Sequence, residues 1–181
     1  MKTLRSWPAL LALTAAGTLG GCSHGAQAPD ISSNVRAALN QAGLKKVSVT
    51  QDRDKGVVTL GGHVESVADK TNAEAIAHSI AGGQVVSNEI AVEPVGAERE
   101  ARAVNTDLDK GIEQNLDAAL ILNKLHDQVK YAVKNRVVTL TGDVNSQARR
   151  REAQQVAASV PNVQQVVNEL QVKNQKATSS E

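Results

Sequence analysis

Four histidines, one cysteine and a run of three arginines are the residues of this 181-residue chain best equipped for chemistry. Two imidazoles can share a metal only when their spacing puts them on one face of an element, and His24, His63, His78 and His126 offer no such pair. The carboxylates are equally dispersed, so paired acid–base work has no obvious seat. No metal, cofactor or catalytic residue is expected. The arginines are different. Arg149, Arg150 and Arg151 fall in the first turns of an alanine-rich helical pattern, where free backbone N–H groups attract anions. Cations there oppose the helix dipole at a cost of about 0.3–1 kcal/mol each. Three consecutive residues fan around about 200° of a helix, so at most two can converge on one ligand. The run is a candidate site for a phospholipid phosphate, with a solvated basic patch as the plainer reading.

Cys22 is the sole cysteine and cannot form an intramolecular disulfide. Its surroundings point to another use. Lys2 and Arg5 precede an apolar stretch at 9–19, which ends in Leu19-Gly20-Gly21-Cys22. A bilayer span needs about 20 apolar residues, so residues 1–21 read as a removable export signal. The tetrapeptide resembles a lipobox, in which the cysteine thiol takes a diacylglyceryl group and becomes the new N-terminus. At ~0.8 kcal/mol per buried methylene, two or more acyl chains make such an anchor effectively permanent. Ser23, in place of Asp, favours the outer membrane by resemblance to enterobacterial sorting.

Loss of residues 1–21 removes two basic residues and no acidic ones, leaving 18 Lys+Arg against 19 Asp+Glu. A net charge of −1 argues against a general nucleic-acid binder. With Trp7 in the signal, Tyr131 is the one aromatic left, so bases have no stacking platform.

What must position these residues is a duplicated module. Residues 57–92 and 137–172 align without a gap and share 16 of 36 positions, from the Val-Val-Thr-Leu starting at Val57 and Val137 to Val92 and Val172. Positions kept in both copies belong to the scaffold. The copies differ in charge: residues 30–94 carry 6 basic and 8 acidic side chains, residues 107–176 carry 10 and 8. Anion attraction should therefore sit in the second copy.

In the first copy Ile31, Val35 and Leu39 mark one face of a helix that Gly43 can end. Val47, Val49 and Gln51 alternate as a strand, and residues 52–56 form a turn into a second, antiparallel strand at 57–64. Val58, Leu60, Gly62 and Val64 match their counterparts and should face the core, whereas Gly61 and His63 change to Thr141 and Asp143 and should face water. Ser66 and Ser146 stand where an N-cap is needed. After them Ala73, Ile76, Ala77 and Ile80 recur as Ala153, Val156, Ala157 and Val160, a narrow stripe of small side chains. Gly62 and Gly142 would leave room for this helix to approach the sheet. A third strand, 86–92 and 166–172, must run parallel to the second across a helical crossover. The fold class is α+β: two tandem α-β-β-α-β modules, each a small mixed three-stranded sheet with two helices on one face. Modules of about 65 residues bury thin cores, so the copies are expected to pack on one another.

The expected organisation is an export signal at 1–21, a tether at 22–29, a first module at 30–93, a linker at 94–106 with some helix near Glu98 and Arg102, a second module at 107–173 and a disordered tail at 174–181. Asn88 and Asn168, if buried, should tie down neighbouring backbone. Glu89 and Glu169 should point to water and form salt bridges. In the second copy's first helix the stripe Leu108, Ile112, Leu116, Ala119 and Leu120 leaves Ile121 and Leu122 partly aside. They are suited to enter a membrane surface or, the preferred reading, to pack on the first module.

The first helix, the Val-Val-Thr-Leu-x-Gly-x-Val strand, the alanine-rich helix and the Asn-Glu strand together resemble the BON domain of bacterial envelope proteins. The resemblance spans both copies. It implies non-catalytic binding of anionic phospholipid or another envelope surface, in proteins that support envelope integrity or, as soluble periplasmic relatives, are induced by osmotic stress. In the lipoprotein relatives lipid contact is attributed to the first helix of the second domain, here 108–122, which carries no aromatic residue. The leading expectation is an outer-membrane lipoprotein facing the periplasm. The competing one is a periplasmic protein-interaction scaffold that its lipid merely tethers.

Overall fold

The computed structural model describes residues 27–173. The expected signal at 1–21, Cys22, His24, most of the tether and the tail at 174–181 lie outside the described residues. In chain order the first module comprises α1 (Ser32–Gln41), β1 (Val47–Asp52), β2 (Val57–Val64), α2 (Val67–Ile80), β3 (Val85–Asn88) and β4 (Ala91–Val92). The second repeats this order as α3 (Glu98–Leu122), β5 (Val129–Lys134), β6 (Val137–Val144), α4 (Gln147–Ala158), β7 (Gln165–Asn168) and β8 (Gln171–Val172).

The central strands β2 and β6 organise each sheet. β2 pairs antiparallel with β1 and parallel with β3 and β4, and β6 does the same with β5, β7 and β8. Val58, Leu60 and Val64 are buried under α1 and α2 together with Val35, Leu39, Ala73 and Ala77. Val138, Leu140 and Val144 repeat this under Ile112, Leu116, Leu120, Ala153 and Ala157. The alanines let α2 and α4 lie close to the strands, as the stripe required. Ser66 and Ser146 cap these helices by accepting from the N–H groups of Asp69 at 3.1 Å and Arg149 at 3.2 Å.

Three expectations need correction. The third strand is not continuous. It breaks after Asn88 and after Asn168, because each asparagine Oδ1 accepts from the N–H two residues on, at 3.4 Å from Ile90 and 3.2 Å from Leu170. The glycines at 62 and 142 do not make room for a helix. They have φ of +83° and +118°, and a Cβ would stand 2.2 Å from the carbonyl oxygen of Lys46 or 2.5 Å from that of Gln128. Gly62 is exposed rather than buried in the core, and Gly61, expected to face water, is buried. The hairpin backbone demands glycine there. The third correction concerns the linker: α3 starts at Glu98 and takes in the rest of it through Thr106.

The modules dock through their β3 and β7 edges. Val57, Val137 and Val167 form a small apolar cluster on the sheet faces away from the helices. Around it the contacts are polar. The Gln165 side chain donates to the Val86 carbonyl at 2.7 Å and accepts from the Asn88 N–H at 3.0 Å. Asn135 donates to the Glu89 carbonyl at 2.7 Å. Two ion pairs cross in opposite directions, Lys55 to Glu169 at 2.6 Å and Lys134 to Glu89 at 3.3 Å. Glu89 and Glu169 thus make the expected salt bridges but do not face open water: their side chains are only 16% and 11% exposed, beneath the partner module's lysines. The hydrogen bond from Lys55 to Glu169 raises the lysine pKa above its ordinary value.

Candidate functional site

Helices α1 and α3 end with the same backbone. After α1, Gly43 takes φ +81° and the Leu44 N–H reaches back to the Leu39 carbonyl at 2.9 Å. After α3, Lys124 takes φ +53° and the Leu125 N–H reaches the Leu120 carbonyl at 2.9 Å. This closure buries Leu120 and Leu125 and turns Ile121 and Leu122, between them, outward. Ile121 is 55% and Leu122 82% exposed. The preferred reading, that they pack on the first module, is therefore corrected: they form an open apolar tip.

The arginine run does not form one site. Arg149 lies beside the tip, its Nη1 donating to the Asn123 carbonyl at 3.3 Å and to Glu152 Oε2 at 3.0 Å. Arg150 turns inward, and its Nη2 donates to the Asn168 carbonyl at 3.0 Å. Arg151 is exposed beside Gln154, Gln155 and Ala158, around an open depression. Three directions on one helix turn separate three roles, and only Arg149 joins Ile121 and Leu122. Lys124, also exposed, adds a second cation at the helix end. Sequence patterning missed it because its left-handed backbone is ordinarily glycine's place.

The repeated asparagines do scaffold work. Asn88 Nδ2 donates to the Lys70 carbonyl at 3.3 Å and to Glu74 at 3.0 Å, and Asn168 Nδ2 donates to the Arg150 carbonyl at 3.0 Å and to Gln154 at 3.1 Å. Each amide thereby ties a helix to the broken strand. The described histidines stay apart: His78 lies 3.8 Å from Glu74, and His126 lies 3.2 Å from Asp117 and 3.7 Å from Asp127. Among the described residues no group of three or more His, Cys, Asp or Glu side chains is placed to hold a metal ion. No described helix is long and apolar enough to cross a membrane.

The model of the BON domain matches twice, at residues 27–94 and 108–174. The chain belongs to the BON family. It is also 32% identical over 145 residues to osmotically inducible protein Y of Escherichia coli (strain K12), covering 79% of this chain and 71% of that protein. Among solved structures, two of CdsD, a structural protein of the type III secretion system of Chlamydia trachomatis, align at 14% identity. They cover 77% and 79% of this chain and 90% and 97% of theirs, with TM-scores of 0.35 and 0.34.

Proposed function

We propose that this BON protein is a non-catalytic component of the bacterial envelope that binds anionic phospholipid through its second domain. In this reading it is an outer-membrane lipoprotein, held by acylated Cys22, faces the periplasm and supports tolerance of osmotic stress. The observation that carries the lipid reading is the tip of α3: exposed Ile121 and Leu122 stand next to Lys124 and Arg149. Apolar side chains that enter an interface, flanked by cations for anionic headgroups, are the two components of peripheral membrane binding. The tip also sits in the more basic domain. The osmotic part rests on the family and on the similarity to osmotically inducible protein Y, and the anchor on the cysteine motif.

Cosedimentation of the chain lacking residues 1–22 with vesicles tests it. Binding to phosphatidylglycerol vesicles at low salt, with none to phosphatidylcholine, is expected. Absence of binding to both removes the lipid role and leaves a tethered scaffold for another periplasmic protein.

A further inference from the structure

The docking of the modules creates a second basic place, distant in sequence from the arginine run. Between α2 and the β5–β6 hairpin lies a cleft of about 390 Å³, lined among others by Lys70, Thr71, Glu74, Arg136 and Gln164. Lys70 comes from the first domain and Arg136 from the second. Burial, and next the nearby Arg136 charge, hold the Lys70 pKa below its ordinary value. Two like charges brought together in a half-buried cleft repel one another.

Glu74 and Asp109 offset part of that repulsion, but both carboxylates are also engaged elsewhere. Glu74 accepts from Asn88 Nδ2 at 3.0 Å and lies 3.8 Å from His78. Asp109 uses both oxygens on the hairpin backbone, accepting from the N–H groups of Asn135 at 2.7 Å and Arg136 at 2.8 Å. That bond holds Arg136 in its left-handed conformation, φ +66°, at the mouth of the cleft. With the Gln164 amide turned so that its oxygen meets a donor, it accepts from Arg136 Nη2 at 3.1 Å, which orients the guanidinium. Among the described residues neither the Lys70 ammonium nor the Arg136 guanidinium lies within 4 Å of a carboxylate oxygen.

The duplication supplies a control. The counterparts of Lys70, Glu74 and Arg136 in the other copy are Arg150, Gln154 and Gly56. Arg150 is spent on the Asn168 carbonyl, and Gly56 has no side chain. The paired cations therefore belong to one side of the interface alone.

We propose that this cleft is an anion site for a phosphate monoester, gripped by the Lys70 ammonium and the Arg136 guanidinium, one from each domain. Guanidinium and ammonium together match a dianionic phosphate. The cleft is larger than inorganic phosphate requires, and exposed Val67 and half-buried Val92 offer apolar contact to an esterified group. Occupancy neutralises the repulsion and cross-links the two domains.

The test uses the full chain and its Lys70→Gln, Arg136→Gln and doubly substituted variants. Inorganic phosphate, compared with chloride at matched ionic strength, should raise the melting temperature of the wild type. Each single variant should bind phosphate about ten-fold more weakly, and the double variant should not respond. In chloride alone Lys70→Gln should melt no lower than the wild type, because burial and the Arg136 charge outweigh the attraction of Glu74 and Asp109 for the ammonium. Vesicles of phosphatidic acid distinguish the source of the anion. Weaker vesicle binding by the double variant assigns the site to a lipid headgroup, whereas unchanged vesicle binding with a lost phosphate response assigns it to a free phosphate ester. Equal melting in phosphate and chloride, with vesicle binding indifferent to the double variant, overturns the proposal. Substituting Ile121 and Leu122 must leave the phosphate response intact, which separates this site from the α3 tip.

Discussion

The ends of α1 and α3 share a backbone and differ in every exposed side chain. Where the second domain has Ile121, Leu122 and Lys124, the first has Asn40, Gln41 and Gly43, and where Arg149 approaches the second tip, the first has Asp69. One end is polar, with Lys45 and Lys46 offset by Glu65 and Asp69, and the other is apolar with Lys124 and Arg149 beside it. The closure that hides Leu39 and Leu120 is kept because burial of the helix end depends on it. The residues it turns outward are free of that constraint. A duplicated fold thus separates what holds the module together from what a surface is used for.

The shared half of this comparison predicts equal penalties. Leu39→Ala and Leu120→Ala should each destabilise their own domain by about 2–5 kcal/mol in urea unfolding followed by domain-resolved hydrogen exchange. A penalty confined to one domain would break the equivalence. The asparagine locks come next. Asn88→Ala and Asn168→Ala should cost about 1–3 kcal/mol each, with Asn88 the larger, since it is 3% exposed while Asn168 is partly open.

The unshared half predicts changes in binding without changes in folding. Giving the second tip the first tip's residues, Ile121→Asn with Leu122→Gln, should weaken association with phosphatidylglycerol vesicles about ten-fold, roughly 1.4 kcal/mol. The melting temperature should hold, because both side chains are exposed. Unchanged vesicle binding would mean that the tip does not enter the lipid. The smallest effect is expected of Arg149→Gln, a loss of about 1 kcal/mol for the one interfacial charge removed, read as a shallower salt dependence of the same binding. If Arg151→Ser instead gives the larger change, the basic contact lies on the far side of α4.

Much of the architecture was legible because the copies could be compared. The core faces of β2 and β6, the serine caps and the alanine stripes follow from local periodicity and recur in both halves. What sequence could not show depends on contacts between distant segments. Glu89 and Glu169 read as solvent-facing by alternation along one strand, but the covering lysines arrive from the opposite domain. Gly62 and Gly142 read as space for a helix because a missing side chain does not say which neighbour it avoids, and the obstacle is the carbonyl of the residue just before β1 or β5. The arginine run read as one feature, yet the helical twist directs its members to a tip, a strand carbonyl and solvent. Lys70 and Arg136 carried no signal at all, being 66 positions apart and apposed only after the domains dock.

The Gln165 amide has a consequence of its own. By taking the N–H of Asn88 and the carbonyl of Val86, one side chain occupies the hydrogen-bonding positions at which a further β-strand would start to pair. The β3 margin of the first sheet, where the second domain docks, is thereby closed to strand addition by a second copy of the chain. A second copy would have to displace the docked domain before it could extend the sheet there.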